Sequence, residues 1–118
     1  AWENGTIVIH GDGNQTRDYV YLDDVVSAMV AASTAPEVNQ LTINVGSGSE
    51  ISIRDLAKEV VEVTGGKPEI VYNPRNEGGL SRLCADLTLA REKLGYEPKV
   101  SLTEGLRLTF DQDIRINS

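Results

Sequence analysis

The 118-residue sequence has almost none of the residues that most often build metal sites and catalytic triads. It contains one cysteine, Cys84, and one histidine, His10. A single cysteine excludes an internal disulfide framework and a cysteine-rich zinc site. A single histidine argues against a histidine-based metal site and gives no local support for a Ser-His-Asp triad. We predict that His10 is a strand residue and that Cys84, which lies in an apolar setting, is a buried structural thiol.

Basic charge is also scarce, because 11 Lys and Arg residues stand against 18 Asp and Glu residues, for a net charge of −7. This balance argues against sequence-independent binding of nucleic acid, although two or three arginines suffice for a small phosphorylated ligand. No apolar run reaches the about 18 to 20 residues that a membrane span needs, and the first residues, AWENGTIVIH, lack the features of a signal peptide. We therefore expect a single domain, residues 1–118, in the cytoplasm.

The sequence also lacks the usual phosphate-binding fingerprints. GDGNQ (11–15) and GSGS (46–49) are rich in glycine, but neither supplies the third spaced glycine of a dinucleotide-binding turn, and no P-loop pattern occurs. VGSGSEIS follows an apolar segment and precedes a helical pattern. Its amides could face an anion, or the segment could be a tight turn into a capped helix, which turn chemistry favours.

Short strands and amphipathic helices alternate along most of the chain. A Gly-Asp-Gly-Asn turn joins the first two β-rich segments as a hairpin, and four segments are predicted as strands: 6–9, 17–22, 41–45 and 69–72. This order predicts an α/β class, with mixed α+β as the alternative, in which a small sheet of short strands pairs in parallel and is joined by about four helices.

Capping residues mark the helix ends. Asp23 or Asp24 can cap the first helix, whose apolar face contains Leu22, Val25, Val26, Met29 and Val30. Ser52 with Asp55, and Ser101 with Glu104, have capping-box spacing. The third helix is predicted to begin at Asp86 and to close at Gly95.

Seven arginines divide into two groups. Those on predicted helices are expected to be solvated: Arg54, Arg91, Arg107 and Arg115. Arg17, Arg75 and Arg82 flank loops or strand starts instead, where an arginine can hold a diphosphate with two hydrogen bonds or can simply be an exposed loop residue.

Three segments in a fixed order carry a resemblance to a known family: GDGNQTRDYVYLDDVVSAMVAA, LTINVGSGSEISIRDLAKEV and NPRNEGGLSRLCADLTLAREKLGYEPKVSLTEGL. Together they resemble the C-terminal, substrate-binding half of extended short-chain dehydrogenases/reductases. These are the NAD-dependent sugar-nucleotide epimerases and dehydratases, of which UDP-glucose 4-epimerase is an example. The resemblance covers about residues 6–110 and implies a nucleotide-sugar pocket.

The resemblance implies roles for particular residues. Gln15 and Arg17 match the positions at which the family's arginine contacts the nucleotide diphosphate, and Tyr19 lies on the strand that follows. Arg75 matches the arginine of a later loop that closes over the phosphates and ribose. The sequence there reads RNEGGLSR, with glycine where the family has aspartate, so Glu77 or Arg82 could take part of that role. Asp86 matches a helix-capping position.

Two family features are missing from the sequence. It has no Gly-rich turn for NAD, and no lysine stands four residues after any tyrosine. We therefore expect no cofactor in this chain, although the resemblance implies NAD(P) for a complete family member, and no catalysis by the chain alone. The first hypothesis is a nucleotide-sugar-binding domain that lacks its Rossmann partner. The alternative is a non-catalytic protein that self-associates, as a homodimer or larger assembly, through the Val25, Val26 and Met29 helix or through residues 41–45.

Overall fold

The computed structural model describes residues 5–74 and 80–113 and shows short strands alternating with four helices. In chain order the elements are β1 (Thr6–His10), β2 (Thr16–Arg17), α1 (Leu22–Thr34), β3 (Ile51–Ser52), α2 (Ile53–Thr64), β4 (Glu69–Asn73), β5 (Arg82–Leu83), α3 (Thr88–Leu94) and α4 (Leu102–Gln112). The predicted class, mixed α/β with small sheets and about four helices, is confirmed.

The longer strands β1 and β4 form a parallel pair that runs from Thr6 opposite Glu69 to His10 opposite Asn73. Both were predicted from their β-branched residues, and the helices between them provide the crossover that parallel strands require. Ile9 points inward and is buried, whereas His10 is an exposed strand residue. The predicted parallel pairing is therefore confirmed.

The second sheet is built from three two-residue strands in the order β3-β2-β5. β2 pairs antiparallel with β3 and parallel with β5. The predicted hairpin is therefore wrong, since β1 and β2 belong to different sheets. The predicted strand 17–22 is reduced to its start, because residue 21 already precedes α1 and the chain must turn into the helix. Residues 41–45 form no strand, and Ile43 and Val45 pack on the core instead.

Two of the predicted helix caps are present. The Ser52 hydroxyl accepts a hydrogen bond from the Asp55 amide at 3.1 Å at the start of α2, and Ser101 accepts one from Glu104 at 3.3 Å at the start of α4. Gly95 adopts the left-handed conformation, φ 61°, that closes α3. α3 itself begins two residues later than predicted, and Asp86 accepts from the Thr88 amide and hydroxyl at 2.9 and 2.6 Å.

The predicted cap of α1 is wrong. Tyr21 occupies the N-cap position and makes no side-chain cap bond. Asp24 is instead turned inward, with 3% of its surface exposed. Its carboxylate accepts hydrogen bonds from the Lys99 and Val100 amides, each at 3.0 Å. The tertiary bonds outcompete the local cap because they satisfy a buried charge that would otherwise be unpaired.

The core lies between α1 and α3, where Ala28, Leu87, Ala90 and Tyr96 are buried together. The predicted apolar face of α1 points away from this core. Leu22, Met29 and Val30 are 67%, 67% and 64% exposed. Cys84 is also exposed, so its prediction as a buried structural thiol is wrong. It directly follows β5, a two-residue edge strand whose residues are both exposed.

No helix among the described residues is long and apolar enough to cross a membrane. Within the same ranges, 5–74 and 80–113, no group of three or more His, Cys, Asp and Glu side chains is arranged to hold a metal ion.

Candidate functional site

Three of the predicted site residues, Gln15, Arg17 and Tyr19, lie on one extended segment through β2. The Gln15 side-chain amide donates to the His10 carbonyl at 3.0 Å. The Arg17 Nη1 donates to two carbonyls, those of Thr16 at 2.6 Å and Leu80 at 2.9 Å. Only Arg17 of the three lies in β2, with Gln15 directly before the strand and Tyr19 two residues after Arg17.

Arg17 differs from the other arginines that have hydrogen-bond partners in the structure. Arg82, Arg91 and Arg107 are each exposed and paired with a glutamate. Arg17 is half-buried, and among residues 5–74 and 80–113 it makes no ion pair. Its positive charge is therefore held in place by neutral carbonyls, which orient a guanidinium without neutralising it. The remaining guanidinium donors suit an anionic oxygen.

Arg82, the third predicted arginine, is used differently. Its Nε lies 2.6 Å from Glu50 Oε2, and the hydrogen bond and charge of Glu50 raise the pKa of Arg82. In the β2–β5 register Thr16 is opposite Arg82 and Arg17 is opposite Leu83. Because opposite residues share a face and consecutive residues alternate, Arg17 and Arg82 leave the sheet on opposite sides. Arg75 and Glu77 lie outside the described residues.

A residue that the sequence analysis missed, Asp18, connects three segments of the chain. Its Oδ1 accepts from the Ser47 amide at 2.8 Å and the Ser47 hydroxyl at 2.6 Å. Its Oδ2 accepts from the Gly48 amide at 3.0 Å and the Ala85 amide at 3.1 Å. We call this set of four bonds the Asp18 junction. Burial raises the pKa of Asp18, but the bonds from Ser47, Ala85 and Gly48 outweigh it and hold the pKa below its ordinary value.

The Asp18 junction decides between the two interpretations of the GSGS segment. The amides of Ser47 and Gly48 do face an anion, and that anion is the protein's own carboxylate. Gly46 allows the approach, since a Cβ built there would lie 2.6 Å from both Asp18 Oδ2 and Ala85 Cβ. The GSGS loop itself was a signal in the sequence for this contact. Its backbone amides have no local acceptor and therefore need one from elsewhere in the chain.

The other glycine-rich segment is closed on itself. The Asn14 amide and side chain both donate to the Asp12 carboxylate at 2.8 Å. The Gly13 carbonyl accepts from the Arg54 amide at the start of α2. GDGNQ is therefore a turn that connects β1 to β2 and packs on α2.

Beside the Asp18 junction is an open cleft of about 510 Å³. Its walls are residues 47–51 on one side and 98–102 on the other, with Tyr19, 40% exposed, contributing an aromatic ring to the lining. Asp18 holds the first wall through Ser47 and Gly48, and Asp24 holds the second wall through Lys99 and Val100. Two carboxylates of one short segment thus fix both walls.

The first wall is also held from behind. The buried Tyr96 hydroxyl donates to the Gly46 carbonyl at 2.7 Å, and burial raises the pKa of Tyr96, so it stays a hydrogen-bond donor. Residues 46–48 are therefore fastened by a carboxylate on one side and a phenol on the other. A site built this way is preorganised, because its polar groups need not be reoriented when a ligand enters.

Comparison with known proteins gives a consistent picture. Residues 2–109 match the family model described as GDP-mannose 4,6 dehydratase. The chain is 42% identical over 106 residues to UDP-glucose 4-epimerase of Mycolicibacterium smegmatis, which covers 90% of this chain and 34% of that protein. It superposes with a TM-score of 0.89 and 39% identity on the crystal structure of Thermotoga maritima UDP-glucose 4-epimerase with UDP-glucose, over 99% of this chain and 37% of that one.

A second crystal structure holds both a nucleotide sugar and the cofactor. UDP-glucuronic acid 4-epimerase from Bacillus cereus, in complex with UDP-glucuronic acid and NAD, superposes with a TM-score of 0.83 and 32% identity, over 92% of this chain and 35% of that one. The chain thus spans about one third of the length of the relatives it matches, which agrees with the prediction that it corresponds to one part of such a protein.

Proposed function

Because the chain belongs to the family of NAD-dependent sugar-nucleotide epimerases and dehydratases, we propose that it contributes the binding surface for a nucleoside-diphosphate sugar. Arg17 is the central contact, and it binds the diphosphate. The observation that carries this proposal is the state of Arg17, a half-buried guanidinium held by two carbonyls and without an acidic partner in the described part of the chain.

Charge explains why such an arginine favours an anion. The chain carries 18 acidic residues, and the arginines at 82, 91 and 107 have found one each. Arg17 has no carboxylate bonded to it in the described part of the chain, so an anionic ligand can serve as its counter-ion. A diphosphate offers oxygens in the planar, two-bond geometry that arginine recognises.

The cleft gives the rest of the ligand a place to lie. Tyr19 is two residues beyond Arg17, roughly 7 Å along an extended chain. A diphosphate at Arg17 therefore leaves a ring of the ligand within reach of the Tyr19 side chain. The cleft is lined by several hydroxyls, one ammonium, the Glu50 carboxylate, one aromatic ring and apolar side chains, and its hydroxyls can bond a polyhydroxylated group.

The other predicted site residues have secondary roles in this proposal. Gln15 lies two residues before Arg17, and its amide is oriented by the His10 carbonyl. Arg75 is proposed to contact the phosphates, and Glu77 to take part of the ribose contact, as the resemblance implies. Arg82 stabilises the edge of the cleft through Glu50 and reaches the ligand only if that pair opens.

The described residues do not fit NAD. Residues 46–49 lead through two glycines toward α2, and the Ser47 and Gly48 amides there are already used by Asp18. No dinucleotide fingerprint or Tyr-x-x-x-Lys pair occurs in the sequence. We propose that this chain, taken alone in the cytoplasm, binds the nucleotide sugar without turning it over and that a Rossmann domain must complete the enzyme.

The alternative function, self-association without catalysis, is supported by a different surface. Leu22, Val26, Met29 and Val30 form an exposed apolar stripe on α1. Apolar patches of this kind on soluble proteins usually belong to contact surfaces. In this alternative the stripe joins copies of the chain, and the nucleotide site is unused.

Isothermal titration calorimetry with UDP-glucose, dTDP-glucose and GDP-mannose tests the proposal. We expect saturable binding of at least one, weakened about tenfold or more by Arg17→Ala, since a hydrogen bond to a charged group contributes about 1.5 to 3 kcal/mol. Arg107→Ala is the matched control, because Arg107 is paired with Glu104 on α4. Failure of all three ligands to bind, or equal losses in the two variants, contradicts the proposal.

A further inference from the structure

We propose that Asp18 is a positioning residue that holds Arg17 in its ligand-binding orientation and fixes the adjacent wall of the cleft. This inference rests on the proposed function, because it concerns the same site. It assigns to the half-buried carboxylate a role that neither the sequence motifs nor the arginine itself reveals.

Arg17 and Asp18 both bond to the segment 80–85. Arg17 Nη1 donates to the Leu80 carbonyl at its start, and Asp18 Oδ2 accepts from the Ala85 amide at its end. Between these contacts the segment is paired to β2 by a ladder of only two residues. Such a short ladder does not fix a segment by itself. The Ser81 carbonyl also accepts from the Thr16 amide at 2.9 Å. The Asp18–Ala85 bond anchors the other end of the segment, and together the two bonds fix where the Leu80 carbonyl lies and so the direction of the guanidinium.

Asp18 also holds one wall of the cleft. Asp18 takes three of its four hydrogen bonds from Ser47 and Gly48. Ser47 lines the cleft beside Tyr19, the next residue after Asp18. One carboxylate thus links the arginine that contacts the diphosphate to the wall that contacts the rest of the ligand, so the two parts of the site keep a fixed separation.

The Asp18 junction requires a carboxylate. All four groups around Asp18 are donors, and the two oxygens of a carboxylate accept them all. An asparagine has one oxygen and one NH2 group. Turned toward Ser47, the NH2 group can donate to the hydroxyl oxygen but leaves the Ser47 amide without its acceptor. Turned the other way, it leaves the Gly48 and Ala85 amides without theirs.

The experiment measures UDP-glucose affinity, amide hydrogen exchange and the side-chain ¹⁵N resonances of Arg17 in Asp18→Asn. We expect folded Asp18→Asn to bind about tenfold more weakly, with faster exchange at Ser47, Gly48 or Ala85 and with averaged Arg17 side-chain resonances. Asp55→Asn is the control, since Asp55 also accepts hydrogen bonds but at the exposed start of α2. We expect it to leave all three readouts unchanged.

Ser47→Ala keeps the proposal testable if Asp18→Asn does not fold. It removes one of the four bonds, that of the hydroxyl at 2.6 Å, and is expected to weaken binding roughly threefold. Wild-type affinity and unaltered Arg17 resonances in the folded variants would overturn the proposal, because a merely structural aspartate lowers stability without changing Arg17. If the wild type binds no UDP-glucose, the proposed function fails, while exchange and the Arg17 resonances still decide the role of Asp18.

Discussion

The Asp18 junction and the apolar stripe of α1 differ in whether their side chains have partners among the described residues. At the junction every donor has an acceptor within the chain, and the contacts join residues up to 67 positions apart. On α1, by contrast, Leu22, Met29 and Val30 are mostly exposed. Buried polar groups must be satisfied wherever they are, whereas an apolar face can remain exposed at a modest cost until a partner covers it. The described residues therefore complete the hydrogen bonds of the junction and leave the apolar stripe of α1 exposed.

The largest expected effect is at Asp24, whose carboxylate, like that of Asp18, accepts hydrogen bonds from backbone amides far along the chain. Asp24→Ala leaves the Lys99 and Val100 amides without their acceptor. We expect the free energy of unfolding to fall by about 3 kcal/mol, since each unsatisfied buried donor costs about 1 to 3 kcal/mol. Urea denaturation measures this, and Asp23→Ala, at an exposed neighbour, is the control. Equal, small losses in both variants would mean that the polar contacts are not what distinguishes the two regions.

An intermediate effect is expected from pH. The hydrogen bonds of the junction hold the pKa of Asp18 below its ordinary value. A carboxyl group whose pKa is lower when folded stabilises the fold at neutral pH, and that stabilisation is lost as the pH falls below about 4 and through the folded pKa. Denaturation curves at pH 7 and pH 3 should therefore differ less in Asp18→Asn than in the wild type. An unchanged difference would mean that Asp18 does not contribute to acid sensitivity.

The smallest effect on stability is expected on α1. Leu22→Lys combined with Met29→Lys should change the free energy of unfolding by less than about 0.5 kcal/mol per site, because both side chains are exposed. Ala28→Lys, on the buried face of the same helix, is the destabilising control. If the stripe joins copies of the chain, sedimentation equilibrium should show weaker association in the double variant. A monomeric wild type at micromolar concentration would contradict the self-association alternative.

Much of the local structure could be predicted because its causes are local. The caps at Ser52 and Ser101 depend on an amide three residues away, and the left-handed turn at Gly95 depends on the residue itself. β1 and β4 follow from runs of β-branched residues. Arg17 and its neighbours were predicted as site residues from a motif that is contiguous in the sequence.

The rest could not be predicted because its causes lie far along the chain. Asp18 has the same local surroundings as any aspartate in an extended segment, and only the approach of Gly48 and Ala85 makes it a junction. The cap predicted at Asp24 was lost to amides of residues 99 and 100. Cys84 is exposed because it follows β5, which is an edge strand. The apolar residues beside it in the sequence do not reveal that position.

The separation of these contacts along the sequence also orders events during protein synthesis. The helices α1 and α2 can form as soon as their residues leave the ribosome, since helix formation takes only about 0.1 to 1 μs. β1 must wait for β4, and Asp18 must wait for Ala85. A nascent chain that ends before residue 80 therefore carries Arg17 without the Leu80 carbonyl that orients it. In the proposed function, ligand recognition must therefore await the synthesis of residue 80.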